Sequence, residues 1–158
     1  YKAFFDYTTD GILVFNLKHQ ILDANPRFIT ISEYAFDNLV SLTLDDLFNK
    51  DSIDLITRKI KRLLESKDKD KYPFECILLS KKLKKKPVEI GLSLLEDQYG
   101  FSQTIFAHIR DITRRKEAER DLIQRAEELQ KVFDAVPNML CVIDEAKRIK
   151  KINLEVVH

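Results

Sequence analysis

The sequence predicts an α+β domain, with an antiparallel sheet whose helices are gathered on one face, followed by a long C-terminal helix. Three observations predict it. The order of elements is two strands, several short helices, then three strands, which segregates helices from sheet. The late strands alternate apolar and polar residues, most cleanly in "PVEIGLSLLED" (87–97), where Val88, Ile90, Leu92 and Leu94 share a face. Last, "RRKEAERDLIQRAEELQKVFDAV" (114–136) consists of strong helix formers and contains no Gly or Pro.

Taken in order, residues 1–8 are aromatic-rich and suit a short lead-in helix. "DGILVFNL" (10–17) is a buried-type strand, Lys18-His19-Gln20 a tight turn, and "ILDA" (21–24) the returning strand. Asn25 suits an N-cap and Pro26 the first helical position of the segment that follows. Short helices and turns run to Leu47; there Asp45 and Asp46 are placed to cap a helix start. "SIDLITRKIKRLLES" (52–66) is the clearest helix, with Ile53, Ile56, Ile60, Leu63 and Leu64 recurring at helical spacing opposite a Lys/Arg face. A charged loop, "KDKDK" (67–71), leads to strands at 73–80, 87–97 and 101–111. In the last of these Ile105, Ala107 and Ile109 fall together. On "CILLS", Phe74, Cys76 and Leu78 point one way and Ile77 and Leu79 the other, so the outer sheet face is apolar too. A lead-in helix or a partner chain would cover it.

The totals exclude several function classes. Of 158 residues, 44% are hydrophobic and 34% charged, within the globular range. Lys+Arg (27) nearly cancel Asp+Glu (26), so the whole-chain charge predicts neither nucleic-acid binding nor direct membrane contact. Cys76 and Cys141 do not form a disulfide framework or a zinc knuckle, which fits a reducing, cytoplasmic setting. No stretch has the ~18 apolar residues of a membrane span. The first residue is Tyr1 and the one methionine is Met139, so the chain reads as a piece of a longer polypeptide.

The chain also repeats itself. Shifted by 128 positions, Phe5 meets Phe133, Asp6 meets Asp134, Val14 meets Val142, Ile21 meets Ile149 and Asn25 meets Asn153, without a gap. "GILVFN" then faces "MLCVID" and "QIL" faces "RIK". The period is one domain plus a connector. Three segments follow: a complete domain at 1–113, a helical linker at 114–136 and the opening of a second copy at 137–158. An isolated two-stranded hairpin is marginal in water, so that tail is expected to pack against a partner chain or the first copy's sheet.

"DGILVFNLKHQILDAN" at one end and "IRDIT" (109–113) at the other resemble the PAS sensor family. The resemblance covers residues 1–113 and restarts near Val132. The family's apolar strand, polar turn, apolar strand and helix-opening Asn correspond to Ile12–Phe15, Lys18–Gln20, Ile21 and Asn25, and its closing Asp-x-Thr element to Asp111 and Thr113. Where the family commonly has glycines, this chain has Ala35 and Val40. The resemblance implies a PAS-like five-stranded antiparallel sheet and a helical side able to enclose a small pocket. It also implies a module that senses ligands, redox state or light, or that simply dimerises, and that passes the result to an output domain of the same polypeptide. A sensor histidine kinase is the first expectation for that parent, a diguanylate cyclase or transcription regulator the next. Asp111 and Thr113 would then relay the signal. Val14, Phe28, Ile56, Ile60, Cys76, Ile90, Leu92 and Ile105 would line the pocket, or simply fill the core.

No cofactor is required by the sequence. Haem needs an axial ligand, and helix 52–66 has no His; His19 reads as a solvated turn residue and His108 as a surface or interface residue. The family's photosensing flavin modules carry a reactive Cys in an Asn-Cys-Arg-Phe stretch, which "NPRF" (25–28) only echoes, and the chain has no Trp to serve a flavin redox sensor. Cys76 reads as a small core residue. A chemosensor holding haem, flavin or a small apolar metabolite is the competing class. "KKLKKK" (81–86) is either a phosphate-binding patch or, at a hairpin tip, a solvated turn. With three glycines, no phosphate loop, no nucleophile elbow and no metal-spaced cluster, the sequence predicts no catalytic or metal residues.

In the connector, Leu122, Ala126, Leu129, Phe133 and Val136 step by 4, 3, 4 and 3, a heptad seam about two repeats long. Upstream the continuation falls on the charged Arg115, a break resembling a stutter. Two roles stay open for this helix: packing on its own sheet, or pairing in a homodimer.

Overall fold

The structure, a computed structural model, describes residues 2–66, 72–100, 103–136, 141–143 and 149–152. A lead-in helix α1 (Lys2–Tyr7) precedes the strands β1 (Gly11–Asn16) and β2 (Ile21–Ala24). Four helices follow: α2 (Pro26–Ser32), α3 (Phe36–Leu39), α4 (Leu44–Leu47) and α5 (Lys50–Glu65). Then come β3 (Phe74–Leu79), β4 (Lys85–Glu96), β5 (Gln103–Asp111), the long helix α6 (Thr113–Ala135), and two short strands, β6 (Cys141–Ile143) and β7 (Ile149–Ile152).

The first five strands form one sheet in the order β2-β1-β5-β4-β3, every pair antiparallel. The predicted fold class is therefore the observed one. The chain divides into two compact units, Tyr1–Arg114 and Arg115–His158. In the second, β6 and β7 pair antiparallel, with Val142 opposite Lys151. What the tail packs against lies outside the described residues.

The helices form where the sequence supplies caps. Asn25 Oδ1 accepts from Phe28 N at the start of α2, and Pro26 stands at its first position. Asn49 Oδ1 accepts from Ser52 N, which starts α5 two residues earlier than the predicted 52. Before α4, Asp46 Oδ2 accepts the Thr43 backbone N–H at 2.8 Å, closing a capping box. Its neighbour Asp45 does something else, described below. In α5 the buried side chains are Ser52, Ile56 and Ile60; Leu64, expected on that face, is 38% exposed because it stands at the helix's last turn.

The left-handed turn between α2 and α3 falls on Glu33 (φ 64°), whose N–H reaches Ile29 O. Ala35 and Val40 have φ of −68° each, which side chains adopt freely. That is why the chain needs no glycine at either position.

The main core lies between the sheet and α2–α5. It joins Leu13 and Phe15 of β1, Phe28 and Ile31 of α2, Ile56 and Ile60 of α5, Cys76 and Leu78 of β3, Val88 and Ile90 of β4, and Ile105, Ala107 and Ile109 of β5. A second, smaller cluster lies on the opposite face: Phe5 of α1 on Ile12 and Val14, with Phe106 beside them. α1 thus covers the outer face of β1 at Ile12 and Val14. At Gly11 the space is tight: an added Cβ would lie 3.2 Å from Ile109 O of the neighbouring strand and 3.3 Å from Phe28 Cα of α2.

Candidate functional site

Between the sheet and the α4–α5 side lies a small apolar gap of about 10 Å³, lined by Leu13, Phe15, Leu44, Phe48, Ile56, Ile90, Leu92, Ala107 and Ile109. This is about the smallest space that admits one water. Of the residues the sequence suggested for a pocket, Ile56, Ile90 and Leu92 line it. Phe28, Ile60, Cys76 and Ile105 belong to the same core but stand away from the gap.

Val14 is a correction. It lies on the other side of the sheet, under Phe5. Successive residues of a strand face opposite ways, so with Leu13 and Phe15 turned to the main core, Val14 is turned outward. β1 is apolar on both faces, and alternation alone does not say which face is which.

Cys76 is free and 3% exposed. Burial pushes its thiol up to about 11, partly offset by the neighbouring Ser52 hydroxyl. At neutral pH it is a small protonated core residue.

Two polar clusters lie away from this gap, at the exit and the entry of the domain. At the exit from the sheet, Asp111 Oδ1 accepts from Thr113 N at 2.9 Å and from Thr113 Oγ1 at 2.5 Å. The intervening Ile112 is 3% exposed and donates its N–H to Pro87 O at 3.1 Å. Thr113, the first residue of α6, is thereby tied to β5 through a carboxylate, and the residue before it to β4 through a buried isoleucine. No residue of α6 is buried; Leu122 and Leu129 are 67% and 70% exposed, Ala126 is exposed, and Phe133 and Val136 are intermediate.

At the entry, Asn25 is fully buried and uses all its hydrogen-bonding groups. Oδ1 accepts from Ile12 N and Phe28 N; Nδ2 donates to Phe5 O at 2.9 Å and Asp10 O at 3.1 Å. A residue read as a helix cap is therefore also the tie between α1, β1 and α2. Arg110 of β5 pairs with Asp10, so the same entry segment is joined to the strand that feeds α6.

His19 departs from its expected solvated state. It sits at φ 64° in the β1–β2 turn, its side chain only 20% exposed, with Nδ1 3.3 Å from Asp45 Oδ2. His19 O also accepts from Leu44 N, and Gln20 bridges Thr43. The turn is thus clipped to the start of α4. His108 lies on β5 opposite Ile12 and Gly91, half-buried on the outer face. Among the described residues no three His, Cys, Asp or Glu side chains are grouped to hold a metal. No described helix is long and apolar enough to cross a membrane.

Comparison with known proteins agrees with this geometry. Residues 5–117 match the model of the PAS fold, and residues 127–158 match a PAS domain model. The sensor histidine kinase TmoS of Ectopseudomonas mendocina is 30% identical over 132 residues, covering 84% of this chain and 14% of that protein. The chain therefore spans about one-seventh of that relative's length. A PAS domain from Colwellia psychrerythraea superposes with a TM-score of 0.63 at 22% identity, over 72% of this chain and 94% of that one. A domain of a sensory box sensor histidine kinase/response regulator from Geobacter sulfurreducens gives 0.57 at 22% identity, over 70% and 90%. With its first family match spanning most of its length and the sheet, helices and exit turn arranged as described, the chain belongs to the PAS family.

Proposed function

We propose that the chain is a cytoplasmic signal-sensing and dimerisation module of a larger sensor histidine kinase. In it, residues 1–113 receive the signal, 114–136 relay it and 137–158 open a second PAS domain. The relation to TmoS supports the parent, and the chemistry of phosphoryl transfer belongs to parts of that parent outside this chain. The observation that carries the relay is the junction of Asp111, Ile112 and Thr113, which ties the start of an otherwise exposed helix to two strands of the sheet. A shift of β5 must displace the first turn of α6 or break these bonds.

The homodimer part of the proposal rests on Leu122, Ala126, Leu129, Phe133 and Val136. Leu122 and Leu129, exposed and one heptad apart, are stabilised when a second copy covers them. A short seam gives modest affinity, so the PAS surface would share the contact. Any stimulus moves the balance only by its differential affinity for the two states. The apolar gap of about 10 Å³ suits a stimulus acting through packing better than one requiring a bound haem or flavin.

Light scattering after gel filtration tests the pairing. The chain is expected at twice its monomer mass, and Leu122→Lys with Leu129→Lys is expected to halve it without loss of helicity. Autophosphorylation of the full-length parent tests the relay: Asp111→Ala should uncouple kinase output from stimulus. Unchanged regulation in that variant rejects the relay.

A further inference from the structure

The whole-chain charge of +1 hides a strong local imbalance. The β3–β4 hairpin tip, "SKKLKKK" (80–86), places Lys81, Lys82, Lys84 and Lys85, all exposed, around Leu83, which is 82% exposed. The loop is held firmly. Ser80, fully buried, donates its N–H to Lys84 O at 3.0 Å and accepts Leu83 N at 2.8 Å on its carbonyl. Lys81 N donates to Ser32 O, and the Lys86 ammonium turns inward to Ile31 O at 2.8 Å, with Glu33 Oε1 at 3.5 Å. Leu83 itself takes φ 58°, in the left-handed region, which costs a leucine more than it costs glycine. A leucine is thus kept at the apex, exposed and at a backbone cost, between two pairs of exposed lysines in the chain.

We propose that this hairpin tip docks on an anionic lipid surface, with Leu83 entering the acyl boundary and Lys81, Lys82, Lys84 and Lys85 facing the headgroups. Lysines alone would fit any polyanion. The apolar apex beside the lysines favours a bilayer, whose boundary takes up a leucine and ammonium groups together, and the loop has no aromatic side chain for base stacking. Near an anionic leaflet each lysine raises partitioning about fivefold. Four lysines and one leucine give reversible binding that two copies in one assembly would strengthen. This docking is independent of the signalling role proposed above.

Sedimentation of the 158-residue chain with vesicles tests it. With phosphatidylcholine containing about 30 mol% phosphatidylserine, at about 0.1 M salt, the chain is expected to pellet. With phosphatidylcholine alone it should stay in solution. Lys82→Glu with Lys84→Glu should weaken binding roughly 25-fold or more. Leu83→Gly should weaken it about tenfold while leaving the melting temperature equal or higher, since glycine relieves the φ. Three outcomes overturn the proposal: no dependence on phosphatidylserine, binding that ignores both variants, or binding lost in the lysine variant but unchanged in Leu83→Gly. The last would assign the tip to a polyanionic partner instead.

Discussion

Asp10 and Arg110 meet in a two-pronged pair across 100 residues of chain, Arg110 Nε to Asp10 Oδ1 at 3.0 Å and Nη2 to Oδ2 at 2.9 Å. The fork fixes geometry as well as charge. Because Arg110 is 60% exposed, its coupling to Asp10 should not exceed ~1 kcal/mol and should shrink at high salt. A double-mutant cycle of Asp10→Asn and Arg110→Ala, followed by urea unfolding, measures it. The sharper expectation is local: either variant should speed amide exchange at the end of α1.

Asn25 should matter more than any charge pair. Asn25→Ala leaves Ile12 N–H, Phe5 O and Asp10 O without their partner and removes the cap of α2. Buried groups left unsatisfied cost about 1–3 kcal/mol each, partly relieved by water. The expected loss is about 3 kcal/mol, read as a lowered urea midpoint at constant slope. Asn25→Asp keeps the acceptor and loses both donors, so it should not rescue.

Gly11→Ala should destabilise by about 1–3 kcal/mol, the range of overpacked sites. The methyl would press on Ile109 O and Phe28 Cα, which are backbone atoms on two different elements. Gly91→Ala is the control, since an added Cβ there meets nothing within 4 Å. It should be near neutral in the same thermal melt.

The Cys76 thiol has a pH consequence. Its folded value is raised from 9.0 to about 11, so the native state keeps a proton that the unfolded chain has lost. Stability is then fully present below pH 9 and falls as pH rises toward 11, by about 3 kcal/mol in total. Cys76→Ala should lose less stability over that window, although it starts lower because of the cavity it leaves. Denaturation midpoints at pH 8 and pH 10.5 decide the matter. At neutral pH a thiol reagent should react with Cys76 only at the rate of opening.

Asp111→Ala and Thr113→Val should each cost about 1 kcal/mol, the ordinary value of a cap. Exchange at the first-turn amides of α6 should rise while the sheet amides keep their protection. A global loss of protection would mean that the junction holds the whole fold and not the helix start alone.

Much of this was legible in the sequence because the signals are local. Alternation in β4, the cap at Asn25 and the capping role of Asp46 each declare themselves within a few residues. The helical stripe of α5 declares itself too, but its start does not, because the cap at Asn49 lies ahead of the apolar stripe. What sequence spacing did not reveal depends on contacts across distance. His19 and Asp45 are 26 positions apart and Asp10 and Arg110 are 100 apart, so no spacing joins them. Val14 escapes sequence reasoning for a different reason: β1 is covered on both faces, and a strand buried twice has no polar side to orient it.

The order β2-β1-β5-β4-β3 puts the last strand of the domain in its middle. β5 is bonded along one side to β1, which meets the entry helix, and along the other to β4, which continues into β3 and the basic hairpin. A strand at the rim would answer to a single neighbour. This one integrates two halves that meet nowhere else in the sheet. The nine residues of β5 are where displacements of the two halves would meet, and the β4 half has a second link to the exit, from Pro87 O to Ile112 N.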